Sequence, residues 1–320
     1  MKNRYHPAVI ILLWILVGCS SSNPRNPRFI NTPSNYNPSF FQKHGDAKIA
    51  VDGVFGVSEF LNGKFISEEN GVKTTLLPRD FSSGFGIEGG YALTDHFMIN
   101  AGVNHFNEAS YYLDNDLSLG KEKSSVNYRR TFYDVGLGYY TALNQNNTTY
   151  LNLIGGYRFG PMTSTIYGNG KEYYFNGRSN KTYLSPAFNY FFTPVYRMSF
   201  SPTISLLKYN NINTNYDESR LNDLQLKRVY NEAFVFLEPS MAFQFGLRGS
   251  DWLKFDLGLN YASNTNIKIE KSIFDDTENI RSRRLIMSVG ISIYPNKKTG
   301  IKKKPTDHAS MGLLTLGQCF

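Results

Sequence analysis

From Lys48 to Tyr294 the chain repeats one pattern, in which stretches of alternating apolar and polar residues are joined by connections that are by turns long and short. Alternation places successive side chains on opposite faces of a strand, so each stretch has one apolar and one polar face. In one stretch Phe85, Ile87, Gly89, Tyr91 and Leu93 share a face, and Gly84, Gly86, Glu88, Gly90 and Ala92 share the other. After Thr94-Asp95 the phase continues, with Phe97, Ile99, Ala101 and Val103 opposed to Asn100, Gly102 and Asn104. Thr131 to Leu143, Tyr150 to Gly160, Tyr183 to Phe192, Val195 to Tyr209, Val235 to Leu247, Leu253 to Ser263 and Leu285 to Tyr294 read the same way, and Lys48 to Val57 supplies the first strand.

A soluble β-sandwich also alternates, so the rhythm of the connections carries the argument. Ser58 to Ser83, Asn107 to Arg129, Pro161 to Lys181, Asn210 to Asn231 and Asn264 to Ser282 are long; Thr94-Asp95, Asn144 to Asn147, Thr193-Pro194 and Arg248 to Asp251 are short. Short turns at one end and long loops at the other predict an all-β, up-and-down antiparallel barrel of about ten transmembrane strands, with both barrel ends of the chain on the periplasmic side. Pro186, Pro202 and Pro239 fall within predicted strands and each removes a ladder donor, which calls for bulges or a different register there.

Composition agrees with a barrel in lipid. A mean hydropathy of −0.36 fits a membrane barrel, whose interior and loops are polar, and not a helical membrane protein. The 22 Tyr and 24 Phe include Tyr91, Phe97, Tyr139, Phe192, Tyr196, Phe245 and Phe255 near strand ends, where aromatic rings form interfacial girdles. The formal charge of +8 forms no compact stripe, which argues against nucleic acid. Basic residues gather in the tail after Tyr294 and at the expected outer rim, where Arg129, Arg130, Lys181, Arg283 and Arg284 are positioned to meet lipopolysaccharide phosphates. Ordinary solvated charge explains the same residues.

Ahead of the strands, Lys2 and Arg4 precede the apolar run Ala8 to Val17, the layout of a signal peptide. The run ends Leu16-Val17-Gly18-Cys19, which resembles a bacterial lipobox and implies cleavage before a lipid-modified Cys19. Ser20 to Gln42, rich in Ser, Asn and Pro, reads as a flexible tether. The division expected is residues 1–18 as signal peptide, 19–45 as lipidated tether, 46–295 as barrel and 296–320 as basic tail. Tyr36-Asn-Pro-Ser-Phe-Phe, together with Gly89-Gly-Tyr-Ala-Leu-Thr-Asp-His96 in the first hairpin, resembles a group of Bacteroidota outer-membrane β-barrel-like lipoproteins. The resemblance implies location and fold, and it brings no catalytic motif.

The interior predicted by strand parity is charged, with Asp52, Glu88, Asp134, Arg158, Arg197, Glu238, Lys254 and Asp256 as a network. A barrel of this width has little more than side-chain room, so paired charges would fill it. Interior glycines such as Gly136, Gly138 and Gly156 leave open a narrow pore. Neither an omptin-like acidic and histidine constellation nor a Ser/His pair assembles from these positions, and His105 is the one imidazole near the outer rim. The five histidines have no metal-ligand spacing, and Asp114 to Gly120 lacks the glycine and terminal Glu of a calcium loop. No cofactor is expected. The expected role is structural or surface-binding, through loops that meet membrane lipid, lipopolysaccharide, glycan or a surface protein. A passive diffusion channel and a lipid-tethered soluble periplasmic barrel are the alternatives.

Overall fold

The computed structural model describes residues 38–57, 65–69, 72–76, 79–113, 123–168, 171–218, 221, 232–247, 250–264 and 283–295. Twelve strands form in it: β1 (Ala47–Val57), β2 (Phe65–Glu69), β3 (Val72–Leu76), β4 (Arg79–Ala92), β5 (Phe97–Leu113), β6 (Lys123–Ala142), β7 (Thr149–Gly168), β8 (Lys171–Phe191), β9 (Tyr196–Thr214), β10 (Phe234–Gly246), β11 (Leu253–Asn264) and β12 (Arg283–Ile293). All but β2 and β3 join one closed barrel, in the order β1-β12-β11-β10-β9-β8-β7-β6-β5-β4, and β2 pairs with β3 as a separate hairpin. β1 closes the wall, pairing antiparallel with β12 from Ile49↔Ile293 to Val57↔Leu285 and with β4 from Ala47↔Tyr91 to Gly56↔Ser82. Closure leaves no unpaired edge, which is the condition for burying strands in lipid.

The wall is uneven in height. β1 and β12 have 11 residues each, whereas β6 and β7 have 20 and β8 has 21. A strand needs only about 9–11 residues to cross a bilayer, so the tall strands continue well beyond that span. This corrects the expectation of long loops at Asn107 to Arg129 and Pro161 to Lys181. Those segments are mostly ladder, paired out to Leu113↔Lys123 and Gly168↔Lys171. Their outward residues turn polar, as at Asn127, Arg129, Thr163 and Arg178, so the apolar alternation fades while the backbone pairing continues.

Outward residues nearer the short turns are apolar and exposed. They include Ile49, Val51 and Phe55 on β1, Val135 and Leu137 on β6, Ile204 and Leu206 on β9, and Met287, Val289 and Ile291 on β12. Leu137 is 69% exposed, and together these residues make a belt far larger than the apolar patches that soluble monomers tolerate. Aromatic rings edge it. Phe97 packs edge-on against Tyr139 at 5.6 Å and Phe245 stacks on Phe255 at 5.6 Å near the short turns; Tyr133 meets Phe159 at 5.6 Å toward the tall end.

The three prolines neither shift the register nor open a bulge at their own positions. Pro202 lies opposite Pro239, and the β8–β9 register brackets Pro186 between Leu184↔Ile204 and Phe188↔Phe200. The ladder of β8 and β9 skips residues 185–187 and 201–203, where proline has no N–H to give. Side chains close the gap: Ser185 Oγ shares hydrogen bonds with Ser201 Oγ (2.7 Å) and Thr203 Oγ1 (2.8 Å), and Ser201 donates to the Pro186 carbonyl (2.7 Å).

Candidate functional site: a lumen closed in three layers

At the short-turn end, residues 38–41 run inside the barrel ahead of β1. Phe40 and Phe41 are each 1% exposed. Phe40 meets Phe191 edge-on at 5.7 Å, and Phe41 meets Tyr140 at 6.4 Å within a cluster that includes Ala92, Met98 and Tyr150. The Arg197 guanidinium lies over Phe40, Phe191 and Tyr294, at 5.9, 5.1 and 5.3 Å. The backbone of the segment is held as well, because Lys48 Nζ donates to the Pro38 carbonyl (2.9 Å) and Asn152 Nδ2 donates to the Ser39 carbonyl (3.0 Å). Gly90 makes the space, since a Cβ there would stand 2.8 Å from Ser39 Oγ and 3.0 Å from Phe41 Cζ. Gly45, at a φ of +80°, then turns the chain into β1, where its N–H donates to the Ala92 carbonyl at 2.9 Å.

The middle layer is charged and paired. Asp134 and Arg158 lie directly opposite each other on β6 and β7 and form an ion pair. Tyr183 donates to Asp134 Oδ1 at 2.9 Å, and its ring carries the Arg158 guanidinium at 4.5 Å. Lys181 and Glu238 form a second ion pair with both side chains 1% exposed, and Ser205 donates to the same carboxylate. Nearer the short turns, Asp256 accepts from Gln244 Nε2 (2.7 Å) and from the Ser292 hydroxyl. Gln244 Oε1 in turn accepts from Arg197 Nη1 (3.3 Å) and Tyr294 (3.0 Å). Lys254 Nζ donates to the Pro194 carbonyl at 3.1 Å. Asp52 is buried opposite Gly290, which has no side chain to displace it. Glu88 faces a cavity of ≈ 50 Å³ shared with Lys48, Asn100, Asp134, Arg158 and Tyr183. At about 10–15 Å³ for each enclosed water, that space admits a few waters.

A second apolar layer closes the tall end. Tyr128, Met162, Phe175, Leu207, Tyr209, Tyr216, Phe234 and Phe236 form one buried cluster. Tyr216, from the chain beyond β9, stacks on Tyr173 at 5.2 Å. Beside this cluster Arg130 spreads its guanidinium over the rings of Tyr128, Phe106 and Phe132, at 4.9, 5.3 and 5.9 Å.

These positions change the basic rim. Arg129 is exposed on the outer face, but Arg130 is 2% and Lys181 1% exposed in the interior. Strand parity turns them inward, because the ladder continues where the sequence pattern predicts loop. Arg283 and Arg284 pair with Ser263 and Ala262 on β11, and their side chains lie outside the described residues. Cys19 and the segment Asp114 to Gly120 also lie outside them. Phe40, Phe41 and Tyr216 were missed. The adjacent rings of Phe40 and Phe41 in an otherwise polar stretch were the available signal.

Among the described residues no three metal-ligating side chains converge. His105 Nδ1 is hydrogen-bonded to Thr131 Oγ1 at 2.9 Å, and its ring packs on Phe85 at 5.6 Å. Asp95 accepts from the His44 amide at 2.8 Å.

The fold and its interior define a class, the closed ten-stranded antiparallel β-barrel with a filled lumen. No family model matches the sequence, and no curated protein is similar to it. Similar solved structures include the translocator domain of autotransporter NalP from Neisseria meningitidis, at 10% identity over 81% of this chain and 90% of that chain, with a TM-score of 0.40. The transport unit of the autotransporter AIDA-I from Escherichia coli is similar at 9% identity over 81% and 93%, with a TM-score of 0.42. The outer membrane protease OmpT from Escherichia coli is similar at 12% identity over 81% and 99%, with a TM-score of 0.40. Likeness at this level extends no activity to this chain.

Proposed function

We propose that this protein is a bacterial outer-membrane β-barrel with a closed lumen, whose role is structural or surface-binding and is carried by the wall that β5 to β9 raise above the membrane. The apolar belt with its aromatic edges supports the membrane placement, because the exposed apolar runs from Phe85 to Leu93, Leu184 to Phe192 and Tyr196 to Leu206 match the roughly 9–11 residues that cross a bilayer. The short turns face the periplasm in this reading, and an acyl chain on Cys19 adds an anchor on that side. Partners on the outer side are lipopolysaccharide, glycan or a surface protein. The role is non-catalytic; His105, the imidazole singled out from the sequence, is engaged in a local hydrogen bond with Thr131.

The observation that carries the closed-lumen reading is the aromatic layer at each end of a paired, charged middle. Buried charges persist only when partnered, and breaking such a pair costs about 3–5 kcal/mol. A lumen that conducts would have to disrupt both pairs and move two sets of rings. Planar-bilayer recording tests this. Wild-type protein inserted to the point of heat-modifiable gel mobility is expected to give no stepwise current. Regular unitary steps from that preparation would refute the closed lumen and favour the diffusion channel. Incorporation of labelled palmitate, lost in Cys19→Ala, tests the anchor separately.

A further inference from the structure

On the outer wall, beyond the exposed Leu184 of β8 and Leu206 of β9, lies a concavity of ≈ 510 Å³ lined by Arg178, Asn180, Lys208, Asn210 and Asn211 together with Tyr209 and Ile212. We infer that it is a binding site for the phosphate of a glycolipid headgroup in the outer leaflet. The inference rests on the membrane placement proposed above.

The local backbone builds the hollow. Arg178 pairs with Asn210 and Asn176 with Asn213, so β9 carries one extra residue there, and Asn211 takes up the excess at a φ of +51°. Asparagine tolerates that left-handed conformation better than most residues. A bulge of this kind bends the strand and re-aims the side chains beside it. Asn180 pairs with Lys208, which makes Arg178 and Lys208 diagonal neighbours across the two strands, about 7–8 Å apart at the backbone. Two long cationic side chains at that spacing converge on a phosphate held between them.

The chemistry is one-sided. Among the described residues no carboxylate lines the hollow, and neither Arg178 nor Lys208 forms an ion pair. Tyr157 donates to Asn180 Oδ1 at 2.7 Å, which fixes that amide and leaves its nitrogen as a donor. Arginine offers a phosphate paired charge-assisted hydrogen bonds, and lysine offers a point charge. On the same two strands the outward face continues through Leu184 and Leu206, both exposed and apolar. The wall thus presents a cationic and amide-lined hollow directly above an acyl-chain surface. A free anion needs only the first; a phosphorylated glycolipid uses both.

Native mass spectrometry of the detergent-solubilised barrel tests the assignment, with bisphosphorylated lipid A, its dephosphorylated form and inorganic phosphate as probes. Wild type is expected to retain bisphosphorylated lipid A. Arg178→Gln/Lys208→Gln is expected to lose at least tenfold of that retention, and Lys43→Gln, at the short-turn end, to lose none. Heat-modifiable mobility confirms that each variant is folded. Equal retention by the double variant overturns the site, and so does equal retention of dephosphorylated lipid A by wild type. Binding of inorganic phosphate without lipid A overturns the lipid source. Vesicle flotation of wild type reports the membrane placement separately: protein that floats but whose lipid A retention does not depend on Arg178 and Lys208 defeats this site alone, whereas protein that does not float defeats both readings.

Discussion

Phe41→Ala is expected to destabilise the barrel by about 3–5 kcal/mol if the ring is lost while the segment stays docked, the usual range for a buried Phe cut to alanine. The ring is 1% exposed and packs on Ala92, Met98, Tyr140 and Tyr150. Phe40→Ala has the same expected range, which would give the pair a sum of about 6–10 kcal/mol. That sum should not be reached. Docking residues 38–41 gains the two rings plus hydrogen bonds to the Pro38 and Ser39 carbonyls, worth about 1 kcal/mol each. Against this stands an ordering cost of about 1–2 kcal/mol per residue, so the whole segment contributes only a few kcal/mol net. Once one ring is gone the segment is free to leave, and the second ring then has little left to contribute. The double variant should therefore unfold within about 1 kcal/mol of the worse single variant, the non-additivity expected of coupled neighbours. Urea unfolding in micelles, followed by circular dichroism, measures all three. A Phe41→Ala change costing under about 1 kcal/mol would refute the docked segment, since surface substitutions fall within about 0.5 kcal/mol. Additive losses would refute the cap on its contribution. Gly90→Val should reproduce the single-variant loss without touching the segment, because its Cβ would press on Ser39 and Phe41.

The buried pair on β8 and β10 predicts that removing both partners costs less than removing one. Lys181→Met removes the cation paired with the buried Glu238 and should cost about 3–5 kcal/mol, whereas Lys181→Met/Glu238→Leu should recover most of it. A double variant as unstable as the single in the same urea series would show that the ion pair is not what holds these strands. The Ser185 hydroxyl spans the gap in the β8–β9 ladder, so Ser185→Ala should cost about 1 kcal/mol in the same urea series. An unchanged unfolding midpoint would show that the side-chain bridge does not hold the two strands there.

Strand parity carried the interior well where one face was apolar, because a slip of one residue would move a whole apolar set to the wrong side. Asp134 and Arg158 could be placed on adjacent strands in this way, since Tyr133, Val135, Tyr157 and Phe159 fix their outward neighbours. The same logic failed higher up. Beside Arg130 and Lys181 the outward positions are Arg129, Thr131, Asn180 and Thr182, so both faces of the strand carry polar residues and nothing in the pattern separates it from loop. Phe40 and Phe41 were illegible for another reason. Their contacts come from Tyr140, Tyr150 and Phe191, and no local period of the sequence encodes a meeting across a closed wall.

The docked segment also has an order in time. Residues 38–41 are the first of the described chain, yet apart from Lys48 on β1 the groups that grip them belong to β7 and to the turn-proximal ends of β6, β8 and β9. Contacts so distant in sequence form slowly, because the chain between them must be ordered first. The earliest residues are thus the last to find their place. Burial of Phe40 and Phe41 requires that the final strand has met the first, so a barrel that has not finished assembling exposes those two rings at its short-turn mouth.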